Sequence, residues 1–249
     1  YTIDWIVQTE VVISSFLVDA GTRSMTHRLT VPGNRTPGNM DLHAADLYGN
    51  GRSDLIVALN TRNQDGRRKL RSELLVIDAT SAIKFFYQTA ASAPAEEIIA
   101  VLSGAPSAIG AENLVVIKSI KKEDHTYSAV VLYDLPNNSS AAIYSTPAVA
   151  GVNSAIYLGL CEDFDFDGAS EIVVVEHAGP DGDGDGTPDA SKLSIRDFSG
   201  TLKYQYGSGG LHPQERSPDK ILALFSGNFN NDTSCDLGIV HTWGKDLNN

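Results

Sequence analysis

Cationic side chains are scarce in this chain. Nineteen Lys and Arg stand against 31 Asp and Glu in 249 residues, a formal net charge of −12. Nucleic acids and anionic bilayers are held by a surplus of Lys and Arg, so the balance argues against both as partners. Long apolar runs are also missing. None approaches the roughly 18 residues that mark a membrane-spanning helix, so no insertion into a bilayer is expected. Only two cysteines occur, Cys161 and Cys235. They flank acidic loops in neighbouring repeats, but two are too few to define a disulfide framework or a compartment. Cys161 reads as an ordinary buried strand residue.

Catalytic signatures are absent as well. No His-Glu-x-x-His, no Gly-x-Ser-x-Gly, no phosphate loop and no dinucleotide fingerprint can be found. Six histidines (27, 43, 125, 177, 212 and 241) are scattered without metal-ligand spacing. The basic cluster Arg67, Arg68, Lys69 and Arg71 reads as a solvated hairpin turn. No catalytic residue is assigned. No window carries a sustained helical stripe with caps, which excludes a helical fold. The first residue is Tyr1 rather than Met, which reads as a processed or excised product.

What remains is ordinary globular composition, with 42% hydrophobic residues, and a strong internal repeat. An Asp that closes an apolar run and opens a turn recurs as Asp19, Asp78, Asp134 and Asp197, at intervals of 59, 56 and 63 residues. Independently, an acid or amide opens a short apolar run at Asp54, Asn113, Glu171 and Asp236, at intervals of 59, 58 and 65. A third apolar element enters each repeat from upstream. Three elements in one order at one period define a repeat architecture. The runs are short, rich in Val, Ile, Leu, Tyr and Phe, and separated by Gly, Asn, Asp, Ser and Pro, as strands with turns are. The expectation is an all-β chain of β-propeller type, with about four blades of four antiparallel strands spanning residues 1–249 as one domain.

The acidity is concentrated. Residues 161–190 hold ten carboxylates and no Lys or Arg. Asp163, Asp165, Asp167 and Glu171 occupy positions 1, 3, 5 and 9 of a loop, with Gly168 at position 6 and the Ala169 carbonyl at position 7. Alternate residues of a tight loop converge, and hard oxygen ligands with net negative charge are what Ca²⁺ requires. An insert at 178–191 repeats the design with Asp181, Asp183, Asp185, Thr187 and Asp189. Asn228, Asn230, Asp232, Ser234 and Asp236 fill the same places with two amides, which lowers the ligand charge. Asp46, Asn50 and Asp54 form a reduced version in which position 3 is Tyr48. In the remaining repeat Ala105, Ser107, Ile109 and Asn113 stand at those positions, which reads as a lost ion and a retained strand. An EF-hand is excluded, because flanking helices and a Glu at position 12 are missing.

These loops, each followed by an apolar strand, resemble the FG-GAP/VCBS repeats of integrin alpha-subunit propellers and bacterial surface proteins. The insert is similar to the calcium loops of thrombospondin type 3 repeats. The resemblance implies two to four structural Ca²⁺ ions, held by Asp163, Asp165, Asp167 and Glu171 and by Asn228, Asn230, Asp232 and Asp236 among others. It implies an extracellular or cell-surface module for adhesion, ligand binding or self-assembly. Its partner would be a protein, a glycan or another copy of the chain. A polysaccharide-active enzyme of lyase or dehydratase type, or a piece of a larger surface protein or toxin, is the alternative. Three arrangements stay open: a closed four-bladed ring, part of a larger propeller, or open ends that pair with another chain.

Overall fold

The computed structural model describes residues 2–6, 10–19, 22–32, 36–62, 69–78, 82–89, 95–107, 111–148, 151–178, 190–207, 220–230 and 235–241. The described residues contain strands and turns and no α-helix. The strands form five antiparallel sheets, each pairing strands that follow one another in the chain. The first sheet joins β1 (Thr2–Ile6), β2 (Glu10–Asp19) and β3 (Thr22–Pro32). The second joins β4 (Thr36–Ala45), β5 (Asp54–Arg62), β6 (Lys69–Ile77) and β7 (Ile83–Gln88). The third joins β8 (Ala95–Gly104), β9 (Asn113–Lys121), β10 (Thr126–Asp134) and β11 (Ser139–Ser145). The fourth joins β12 (Ile156–Glu162), β13 (Glu171–Ala178), β14 (Ala190–Arg196) and β15 (Leu202–Gly207). The last pairs β16 (Ile221–Gly227) with β17 (Asp236–His241). The all-β reading and the four-stranded unit therefore hold, the latter in three sheets.

The period is visible in the register. Ala45 pairs with Asp54, Gly104 with Asn113, Glu162 with Glu171 and Gly227 with Asp236, always nine positions apart. The loop joining the first two strands of these four sheets thus has one length, whether or not its ligand positions carry acids. The third-to-fourth strand turn is closed by the recurring Asp. Asp78 Oδ1 accepts the Ala82 N–H at 2.9 Å, and Asp197 Oδ1 accepts those of Ser199 and Thr201, both at 2.9 Å. Asp134 Oδ1 accepts the Asn137 N–H at 3.1 Å. A short Asp side chain mimics a turn carbonyl, which is why this anchor recurs.

The second strand of each four-stranded sheet carries an unbroken apolar run, at 55–59, 114–117 and 172–175, because both its faces are covered there. On β9, Leu114 and Val116 face a cluster with Ile56, Ala58, Leu74 and Val76 of the second sheet. Val115 and Ile117 face Ile156, Ile172 and Val174 of the fourth. On β13, the alternate residues Val173 and Val175 pack with Leu193 and Ile221. The last four sheets accordingly stack face to face in chain order, with β4 against β8, β8 against β12 and β12 against β16. Gly159 permits one such approach: a Cβ there would lie 2.3 Å from Ile117 Cδ1.

Polar ties cross each of these junctions at one repeated place. The buried hydroxyls of Ser72, Ser128 and Ser191 accept the N–H groups of Ile98, Ile156 and Ile221 in the following sheet, at 3.3, 2.9 and 2.9 Å. Each serine stands six residues before a turn Asp. Two of them are clamped from behind. Ser72 N–H donates to Thr89 Oγ1 at 2.9 Å, and Ser128 N–H to Thr146 Oγ1 at 2.8 Å. A bulge beside each of these isoleucines frees one N–H from the ladder, and the serine supplies an acceptor, which at Ile98 is shared with Asn60 Oδ1 at 3.2 Å.

Removing such an acceptor leaves a buried amide unsatisfied, at a cost of about 1–3 kcal/mol. Ser128→Ala is therefore expected to lower unfolding free energy by about that amount in urea titrations. The exposed Ser139→Ala should stay within about 0.5 kcal/mol of wild type. Equal, small effects would contradict the role given to Ser128.

Candidate metal centre

The loop between β12 and β13 is organised by its own carboxylates. Asp163 Oδ1 accepts the Phe166 N–H at 2.8 Å, and Oδ2 accepts the Gly168 N–H at 3.0 Å. Asp165 Oδ1 accepts from Asp167 at 3.4 Å, and Asp167 Oδ1 from Ala169 at 2.8 Å. Gly168 adopts φ 85°, a conformation that suits glycine, and so allows the chain to turn back toward β13. Glu171, only 1% exposed, accepts the Phe164 N–H through Oε2 at 2.9 Å.

These bonds gather one oxygen each from Asp163, Asp165 and Glu171 to within 4.8 Å of one another. Asp167 lies beside this group, and Ala169 follows in the same turn. Three like charges in so small a volume repel strongly unless a cation joins them. The structure shows one that does. Lys203 Nζ, from β15, stands 2.6 Å from Glu171 Oε1, 2.7 Å from Asp165 Oδ2 and 3.9 Å from Asp167 Oδ2. Hydrogen bonds to Asp165 and Glu171 hold its ammonium above the usual lysine range, and the bond from Lys203 holds Asp165 below the usual carboxylate range.

The loop between β4 and β5 follows the same plan. Asp46 Oδ1 and Oδ2 accept the Asn50 and Gly51 N–H groups at 2.9 and 2.6 Å, and Asn50 Oδ1 accepts that of Arg52 at 2.9 Å. Gly51 has φ 75°. Tyr48, at the weak third position, packs against the core cluster. Asp54 is 2% exposed and takes a hydrogen bond from the Leu47 N–H, while its Oδ2 is buried with no hydrogen-bond partner. Burial holds the Asp54 carboxyl above its ordinary range, with the Leu47 N–H offsetting part of the effect. An orphaned buried carboxylate oxygen fits a site that takes a cation or a proton.

Asp236 repeats the strand-opening bond, accepting the Phe229 N–H at 2.8 Å. Asn228 and Asn230 lie at the exposed start of that loop. Asp232 and Ser234 lie outside the described residues, as do Asp181, Asp183, Asp185, Thr187 and Asp189 of the insert. The repeat without acids at the ligand positions uses its loop differently. Ala105 exchanges two bonds with Ser170 of the acidic loop: its N–H donates to Ser170 Oγ at 3.1 Å, and its carbonyl accepts the Ser170 N–H at 2.7 Å.

Among the described residues, His43, His177 and the cysteines sit in packed or hydrogen-bonded settings. His43 Nε2 hydrogen-bonds Ser103 Oγ at 2.8 Å, and burial lowers its pKa from the ordinary value. His177 stacks on Tyr157 with ring centroids 4.5 Å apart. Cys161 and Cys235 are not joined, and the Cys161 sulfur packs toward Gly104, where a Cβ would come within 2.4 Å of it. The turn carrying Arg67 and Arg68 lies outside the described residues.

No protein-family model matches the chain, and no curated protein does either.

Asp54→Asn keeps an acceptor for Leu47 and removes a buried negative charge. In chelator-treated protein it should raise the melting temperature, measured by calorimetry. A fall would show that the Asp54 charge already has a stabilising partner.

Proposed function

We propose that the chain is a calcium-binding repeat module of the β-propeller type, with loops related to those of FG-GAP/VCBS repeats. The observation that carries this reading is the convergence of Asp163, Asp165 and Glu171 within 4.8 Å on a loop whose backbone is already closed by its own carboxylates. The donors are all hard oxygens, with no His or Cys among them. That set suits Ca²⁺ better than zinc or copper. The orphaned Asp54 Oδ2 supports a second site of the same kind.

In this reading the ions are structural. Each joins the end of one strand to the start of the next and removes a repulsion that the loop would otherwise carry. The metal would be held by Asp163, Asp165, Asp167 and Glu171, with the Ala169 carbonyl, and more weakly by Asp46, Asn50 and Asp54. The loops at 181–189 and 228–236 would hold further ions. Rigid loops of modest affinity fill at millimolar external calcium and stay empty at cytosolic levels, which favours an extracellular or cell-surface setting. The working role is binding, adhesion or self-assembly, with a protein, a glycan or another copy as partner. No step of bond-making chemistry is assigned.

Adding millimolar CaCl₂ to chelator-treated protein should raise its melting temperature by several degrees, and EDTA should reverse the shift. The same addition to an Asp163→Asn, Glu171→Gln double variant should have a markedly smaller effect. Identical melting curves with and without calcium, in protein shown by elemental analysis to be metal-free, would refute structural calcium.

A further inference from the structure

The lysine inside the acidic loop comes from a specific device. In β15 the pairing with β14 shifts between Ile195↔Tyr204 and Arg196↔Leu202, so Lys203 is the extra residue of a β-bulge. A bulge re-aims the side chain it carries. In the second sheet the corresponding shift lies between Val76↔Phe85 and Ile77↔Ile83, and the extra residue is again a lysine, Lys84. Lys84 and Lys203 each stand six residues after a turn Asp, Asp78 and Asp197. The third sheet, whose loop has no acid at positions 1, 3, 5 or 9, has Ser140 at that distance from Asp134, and its bulge falls at Ile143 instead. A bulged lysine and a loop with acids at its ligand positions thus occur together twice, and where those acids are missing the bulge lies elsewhere and carries no lysine.

The two lysines show two poses. Lys203 is turned into its loop, onto Asp165 and Glu171. Lys84 pairs with Asp78 Oδ2 at the hairpin, 3.1 Å away, and acts on Asp54 only electrostatically, while the Asp54 Oδ2 of its loop is buried without a hydrogen-bond partner. Asp197, the counterpart of Asp78, lies within electrostatic reach of Lys203 and offers the same outward position.

We infer that Lys203 is an internal counter-cation of the 163–171 loop, which holds Asp165 and Glu171 together until a divalent ion enters and then withdraws toward Asp197. The device rests on the proposed calcium reading. It sets the affinity of the loop, because an entering ion must displace an ammonium that already neutralises part of the site. It also keeps the cation-free sheet corner from repelling itself apart.

Calorimetric titration of the chelator-treated chain with CaCl₂ tests this. Lys203→Met keeps the aliphatic stem and removes the charge, so its tightest calcium step should strengthen by roughly fivefold, the scale of a partly exposed ion pair. Its melting temperature in EDTA should fall. Lys203→Arg should bind within about twofold of wild type. Binding by Lys203→Met alone would also support the inference, as the case in which the ammonium fully replaces the ion. Wild type that binds calcium with Lys203→Met equal or weaker would overturn the counter-cation and leave the calcium reading standing. No binding by either protein would overturn both.

Discussion

One hydrogen bond organises the acidic corners of this molecule. The carboxylate on the first residue of a second strand accepts the N–H of the residue seven positions earlier: Glu171 from Phe164, Asp236 from Phe229 and Asp54 from Leu47. That bond ties the end of one strand to the start of its neighbour, and at Glu171 and Asp54 it also holds a buried negative charge. Everything else at the corner answers to that charge. The loop turns its amides inward, and at Glu171 a lysine bulged out of the last strand reaches the same carboxylate. The oxygens that remain face a common centre.

The stacking of sheets sets where these corners stand. A second strand covered on both faces starts with an apolar run, so the loop acids gather at the strand starts and the turn Asp residues at the hairpins. The inter-sheet serines follow the same logic from inside. A bulged first strand presents a free amide, and a small hydroxyl from the sheet before it fits the buried face as its acceptor. Sheet stacking, loop closure and charge placement are thus consequences of one repeated unit rather than separate features.

Much of this unit is legible in the sequence. The turn Asp residues and strand-opening acids mark the period because local chemistry demands them: a hairpin closure at Asp78, Asp134 and Asp197, and a loop tie at Asp54, Glu171 and Asp236. The acidic loop at 163–171 is legible for the same reason, since its ligand spacing is contained in nine consecutive residues. Ser72, Ser128 and Ser191 carry an equally regular signal, six residues before each turn Asp, but a serine within a strand acquires meaning only from the sheet that follows. Lys203 reaches Glu171 across 32 residues of sequence, and loop spacing alone is blind to it. A closed ring depends on how sheets meet at the ends of the stack, and periodicity does not encode that.

Whether the Asp163, Asp165 and Glu171 oxygens form a calcium site is open to direct observation. The decisive experiment is a crystal structure of the chain grown in millimolar CaCl₂, with anomalous data collected at long wavelength. An anomalous peak is expected between these three carboxylates, at about 2.3–2.6 Å from their oxygens, with Lys203 displaced from the loop. A loop without a peak, and with Lys203 still bridging Asp165 and Glu171, would contradict the assignment.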